Sequence, residues 1–410
     1  MQNTTQLNAT NSAHFRVTRP SGYVLAVLSL LMGFASISTD LYLPAMPDMA
    51  RSLGAADGMI ELTISGYLIG FSLGQLLWGP ISDRYGRRPA IAVGLLLFII
   101  GSAGCAQAGH FSDMIFWRVV QALGACASVA LSRAMVRDLY DGAKGAQMLS
   151  ILITVMAIMP LIGPLAGGQI VTFYGWRAIF WLLVAIGILT LIALYTIPET
   201  LPAERRNKQP LSQALMRYAE LLGNRKILGY LGTGGFLYAG MFAYVAGTPA
   251  AYITFYGVPA RLYGFLFGLG VIGIMAANLI NARLVVRLGY DRVLLYGVMT
   301  ALVTGLLCGF VAFSGSGGLW GLVFPLFLFA STTGLIVTNS IAGALADFPL
   351  QAGTVSALTG SVQYGSGVLG SGMVGLLADG TPWPLGLVVA VCGFGCMLSM
   401  LLVLSGRSNS

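Results

Sequence analysis

Charge is what this sequence has least of. Only 36 of its 410 residues are Asp, Glu, Lys or Arg, 9 % where a water-soluble domain carries about 25 %. Too few polar side chains remain to cover a soluble particle of this size. Histidine is nearly absent: His14 and His110 stand apart from any cysteine or carboxylate cluster, which leaves no basis for a His-centred metal site or nucleophile. The five cysteines, Cys105, Cys126, Cys308, Cys392 and Cys396, lie in apolar stretches without paired spacing. That pattern argues against a disulfide framework or a zinc site, and packing is their simplest role. There is no Gly-x4-Gly-Lys-Ser/Thr loop to bind ATP. No cofactor, metal or catalytic residue is expected, and no constellation supports an enzyme.

What abounds instead is long apolar runs. A stretch of about 20 residues crosses a ~30 Å hydrocarbon core as a helix, and twelve such stretches are present, so an all-α membrane protein is expected. They run approximately over 21–43, 58–80, 89–108, 112–134, 146–170 and 175–197, then 227–250, 260–283, 292–313, 319–343, 352–377 and 383–405. The most polar internal stretch, 199–226, carries Arg205, Arg206, Lys208, Arg217, Arg225 and Lys226. It reads as a linker between a first six-helix bundle, 21–198, and a second, 227–405. The Asn- and Thr-rich residues 1–20 are expected to be a disordered tail, and 406–410 a second short tail.

Lys and Arg concentrate in cytoplasmic loops. With both termini inside, 18 of the 22 basic residues are cytoplasmic, Arg51, Arg177 and Arg261 lie outside, and Arg118 lies within a span. The net charge of +8 then follows from membrane orientation and calls for no nucleic-acid partner. The halves also repeat. Arg84 and Gly86, after the second span, recur as Arg287 and Gly289 after the eighth, 203 residues on. Two related bundles face to face enclose a central cavity, the arrangement in which secondary transporters hold substrate near the midplane.

Ionisable residues inside spans are costly and point to function. Asp40 lies near the outer end of the first span and Arg118 about six residues into the fourth. At 1.5 Å per residue both fall within roughly 10 Å of the outer boundary, so they are candidates for one coupled site able to exchange a proton. The plainer alternative is an interfacial cap and a snorkelling side chain. Gly66, Gly70 and Gly74 form a small-residue stripe suited to helix packing. Aromatic and amide side chains offer cavity candidates by type alone: Tyr67 on the second span, Tyr238 and Phe242 on the seventh, Asn278 on the eighth, Gln363 and Tyr364 on the eleventh.

Several motifs are shared with a known family. Gly79-x-x-x-Asp83-Arg84-x-Gly86-Arg87-Arg88 resembles the loop motif of the major facilitator superfamily, although a basic anchor alone would also place arginines there. The resemblance implies a cytoplasmic latch, with Asp83 facing the N-terminus of the eleventh span and the arginines pairing with Asp138. The second copy has Val286 where Asp83 stands, so the latch should be asymmetric. Arg118-x-x-Gln121 is similar to the superfamily motif associated with proton coupling, departing from it in carrying Ala122 in place of Gly. Gly163-Pro164-x-x-Gly167-Gly168 resembles the motif of its antiporters. Together with Asp40-Leu-Tyr-Leu-Pro44, Arg137-Asp138-Leu-Tyr140 and Pro198-Glu199-Thr200, these resemble the bicyclomycin-resistance (Bcr/CflA-type) branch of the twelve-helix drug/proton antiporters. In that branch Asp40 would carry the proton with Arg118 as its partner. The implied partners are protons, the lipid bilayer of the bacterial inner membrane and small antibiotics such as bicyclomycin- or chloramphenicol-like compounds, handled by a monomer. A transporter of a metabolite such as an amino acid or sugar, exporting it or taking it up, is the alternative.

Overall fold

Lipid offers no hydrogen-bond partners, so a spanning chain must satisfy its backbone internally, and each apolar run becomes a helix. The computed structural model describes residues 21–56, 58–140, 142–206, 211–346, 348 and 351–405, and none of these is in a strand. Both expected tails, 1–20 and 406–410, lie outside the described residues. The first half comprises α1 (Ser21–Asp40), α2 (Leu62–Tyr85), α3 (Arg87–Gln107), α4 (Phe111–Leu139), α5 (Gly142–Tyr174) and α6 (Trp176–Leu194). The second comprises α7 (Arg225–Thr248), α8 (Ala260–Leu288), α9 (Tyr290–Ser314), α10 in two segments (Gly318–Ser331 and Thr333–Ala346), α11 (Ala352–Leu376) and α12 (Trp383–Ser405). Two short helices, Leu43–Ala45 and Met46–Ser52, follow α1, and a third, Leu211–Leu222, lies between the halves. Twelve is even, so α1 starts and α12 ends on the side that carries this connection. That side is termed the linker face, and its opposite the far face.

Three details depart from simple spans. α4 continues to Leu139, five residues past the expected end at 134. α7 runs on into a π-helical stretch, Pro249–Phe255. α10 is interrupted at Thr332, whose N–H donates to the carbonyls of Phe329 and Leu328 at 3.0 and 3.3 Å. The five cysteines are buried and unbridged.

The halves meet along α2 with α11 and α5 with α8. Among the described residues ten helical stretches are apolar enough to cross a membrane by composition, and α2 and α11 are not among them. Their polarity has a structural reason, since they face each other. The Ser65 and Ser371 hydroxyls lie 2.8 Å apart, and Ser72 Oγ donates to the Ser361 carbonyl at 2.9 Å. At the second seam Gly264 of α8 lies against the backbone of Leu165 on α5, and Gly168 against Ala260. These contacts occupy the far face and the middle of the molecule. On the linker face the helix Leu211–Leu222 packs against both α2 and α11.

Candidate functional site

The first half holds a buried polar core on three helices. Arg118, on α4, is fully buried. Its Nη1 donates to the Ser38 carbonyl on α1 at 3.0 Å and to Gln121 Oε1 at 2.6 Å. Gln121 in turn donates to Ser102 Oγ on α3 at 2.8 Å. The guanidinium is sandwiched between the rings of Tyr42, at 4.3 Å, and Tyr67, at 4.4 Å. A planar cation between two π faces recovers part of its lost hydration. Nε and Nη2 of Arg118 have no hydrogen-bond partner, so the group is held in place with donor capacity to spare.

Asp40 closes α1 beside this core and is 6 % exposed. Its Oδ1 accepts a hydrogen bond from Thr39 Oγ1 at 3.1 Å, and its charge is within electrostatic reach of Tyr67, Tyr244 and Tyr263. Arg118 and Asp40 are both within electrostatic reach of Tyr67, and no ion pair joins them among the described residues.

Glycines on α5 make this proximity possible. A side chain at Gly167 would collide with the Leu41 carbonyl oxygen, and one at Gly163 would press on Asp40 Cβ at 2.9 Å. Gly168 instead faces Ala260 of the second half, and Pro164 lies within α5 between Gly163 and Gly167. The motif on α5 thus touches the Asp40 segment on one side and the opposite half on the other. Ala122, the departure in the α4 motif, sits against Gly70 of α2. Close packing survives because the missing glycine is supplied by the partner helix.

At the linker face Gly86, with φ +103°, turns the chain between α2 and α3 in a conformation that suits glycine. Arg87 bonds Asp83 Oδ1 at 2.5 Å and Asp138 Oδ2 at 3.0 Å, and its Nη1 also donates to Ser82 Oγ at 2.6 Å. Arg88 lies over the Tyr195 ring at 4.6 Å, Arg84 lies over Tyr85 at 5.5 Å, and nothing crowds Gly79. Glu199 caps α3, accepting from the backbone N–H of Arg87 at 2.9 Å and of Arg88 at 3.1 Å. Contact of Asp83 with the N-terminus of α11 is not found among the described residues. Its carboxylate, paired with Arg87, faces the helix of the linker, where burial and then the Asp83 charge push the Tyr218 hydroxyl above its ordinary pKa.

Between the halves the rings form one continuous cluster. Tyr67 stacks near Phe71 at 6.0 Å, Phe71 meets Tyr364 at 4.3 Å, and Tyr364 meets Tyr238 at 5.7 Å and Phe242 at 5.8 Å. Four of the six cavity candidates are thereby gathered, and Tyr67 links them to Arg118. Gln363 points to the other side of α11, near Ser340 and Gly234. Asn278 is exposed on α8, and the buried amide pair belongs to its neighbour: Asn339 Nδ2 donates to Asn281 Oδ1 at 2.6 Å. On the far face a separate cavity of about 460 Å³ lies between the halves, bordered by Met46, Glu61, Pro249 and Val374.

Residues 28–371 match the family model of the Major Facilitator Superfamily. The chain belongs to that superfamily. It is similar to a bicyclomycin resistance protein homolog of Haemophilus influenzae, 28 % identical with 90 % of this chain and 92 % of the relative covered. It is also similar to a chloramphenicol resistance protein of Pseudomonas aeruginosa, 30 % identical with 92 % and 91 % covered. These relatives place it in the drug/proton antiporter branch. Its fold matches the xylose transporter XylE from E. coli in a partially occluded inward open conformation, with a TM-score of 0.70, 14 % identity, and 94 % and 98 % of the two chains covered. The protein is a multi-pass inner-membrane transporter of small molecules and not an enzyme.

Four residues were given no role of their own from the sequence, although Tyr42, Glu199 and Thr200 stand in motifs quoted from it. Tyr42 completes the sandwich on Arg118, and its position directly after Asp40-Leu41 was the available signal. Glu199 and Thr200 join the latch, Thr200 Oγ1 donating to Asp138 Oδ2 at 3.1 Å. Arg133, counted from the sequence among the cytoplasmic charges, lies inside α4 because the helix runs on to Leu139.

Proposed function

We propose that this transporter exports small antibiotics, bicyclomycin- or chloramphenicol-like, in exchange for protons. The observation that supports the reading is the burial of Asp40 at the end of α1, together with a buried arginine that bonds the same helix at Ser38, has two unpaired nitrogens and is held between two rings. In this reading Asp40 is the proton carrier and Arg118 the cation its carboxylate approaches when deprotonated. The linker face is cytoplasmic, with both termini inside, and the protein works as a monomer. Seams at the far face and the middle support a state open to the cytoplasm in this reading. Drug binding among the rings of Tyr67, Phe71, Tyr364 and Tyr238 and protonation of Asp40 exclude one another, a negative coupling between two sites. The far-face cavity gives protons their approach in the opposite state. Because Gly163 and Gly167 touch Asp40 and Leu41 while Gly168 touches α8, rocking of α5 connects the proton site to the movement of the halves.

The test uses inside-out membrane vesicles with an acid interior and a pH dye. Adding bicyclomycin or chloramphenicol is expected to release protons from vesicles bearing the wild type and not from those bearing Asp40→Asn at equal abundance. Undiminished release by Asp40→Asn would overturn the assignment of the proton to Asp40.

A further inference from the structure

Arg133 lies six residues before the end of α4, about 9 Å of helix from its linker-face terminus. An arginine so close to the interface normally extends its side chain outward to water and headgroups. Arg133 does the reverse. Its side chain leans back along the helix so that Nε lies 3.5 Å from the Val129 carbonyl, one turn toward the midplane. The residue is exposed, and its charge is within electrostatic reach of Tyr238 and Tyr364 across the gap, and of Cys126 on its own helix. It therefore faces the space between the halves, beneath the ring cluster.

The groups around that space are of one kind. No carboxylate among the described residues pairs with Arg133, and Asp83 and Asp138 are both engaged by Arg87 nearer the linker face. From the second half the space is bordered by the Tyr238 and Tyr364 rings, 5.7 Å apart. A guanidinium and two phenol hydroxyls are all able to donate, and aromatic faces supply stacking area. We infer that this site, besides neutral drugs, takes aromatic molecules bearing a negative charge and favours them over neutral molecules of the same shape, with Arg133 binding the anionic group and the rings of Tyr238 and Tyr364 the aromatic part. The inference rests on the export reading for its biological meaning but not for its test. Arg133 is a specificity residue in this account, distinct from the Arg118 site, whose guanidinium is fully buried.

Three ligands that share a ring and differ in charge separate the possibilities: 2-naphthylacetate, its amide and 2-naphthylethylammonium, bound to the purified full chain in lipid-free detergent and followed by thermal shift and intrinsic fluorescence. Wild type is expected to bind the carboxylate at least ~10-fold more tightly than the amide, as a charge-assisted bond to an accessible guanidinium allows, with the ammonium weakest. Arg133→Gln should bring the carboxylate to the level of the amide while leaving amide binding unchanged, and Arg133→Lys should retain part of the preference. If Arg133→Gln does not fold, the ranking on wild type and on Arg133→Lys still decides. Equal or tighter binding of the ammonium, no binding of any of the three, or an unchanged ranking in Arg133→Gln overturns the proposal. So does an Arg133 effect confined to added phosphatidylglycerol, which would assign the charge to a lipid headgroup. Loss of proton-linked export with the ranking intact would instead count against the transport reading alone.

Discussion

In the first half the buried polar groups are ionic, Asp40 at the end of α1 and Arg118 between two rings on α4. In the second the groups deep within the spans are neutral, the Asn281–Asn339 amide pair, Gln363, and the Thr248–Tyr263 hydroxyl pair at 2.9 Å, while the buried carboxylate of Asp291 stands in the first turn of α9. The difference recurs at the linker face. There the first half is fastened by Arg87 between two carboxylates, whereas the second uses a neutral donor, Tyr230, hydrogen-bonded to the buried Asp291 at 2.7 Å, and has Val286 exposed where Asp83 would stand. A buried charge is expensive and changes state with its surroundings, while a paired amide is cheap and does not. On the proposed reading the pseudo-symmetric halves divide the labour: the ionic half responds to protons, and the neutral half holds shape.

The division can be broken at four points. Arg118→Lys keeps the charge but loses the planar stack and the Nη1 bonds to Ser38 and Gln121, and proton-linked export in vesicles should fall at least ~10-fold with the protein still folded. Undiminished export would mean that charge alone suffices. Gly167→Ala places a methyl on the Leu41 carbonyl and should cost ~1–3 kcal/mol, read as a lowered unfolding temperature together with slowed export. Asn339→Leu strands Asn281 and should cost a similar ~1–3 kcal/mol in stability. Its drug-to-proton ratio should stay at the wild-type value, and a changed ratio would show that the neutral half takes part in coupling. Asp138→Asn weakens one partly exposed pair, so the stability change should be at most ~1 kcal/mol.

The twelve spans were legible because length and apolarity alone set them, and even the more polar α2 and α11 were found from their apolar runs. Their polarity was not interpretable until Ser65 met Ser371 and Ser72 met Ser361. Asp40, Arg118 and Gln121 stood out as polar groups in apolar surroundings, and the structure assembles them with partners from α1, α2 and α3 that no spacing could reveal. The pairing of Arg87 with Asp138 was anticipated. The seating of Asp83 on α11 was not found, because its carboxylate turns to Arg87 on its own half. Arg133 escaped notice for a different reason: charges at 133, 137 and 138 end the apolar run, whereas the backbone hydrogen bonds of α4 continue to Leu139. The break at Thr332 and the π stretch after Thr248 depend on tertiary packing, and local composition did not mark them.

The central claim is that drug and proton compete through Asp40. It is tested most directly by proton release on drug binding to purified protein in weakly buffered detergent, with a pH indicator as the readout. Saturating bicyclomycin or chloramphenicol should release protons from wild type and none from Asp40→Asn, across the pH range in which binding itself is detected by fluorescence. Equal release from both proteins, or tight binding with no release from wild type at any pH, would contradict the account.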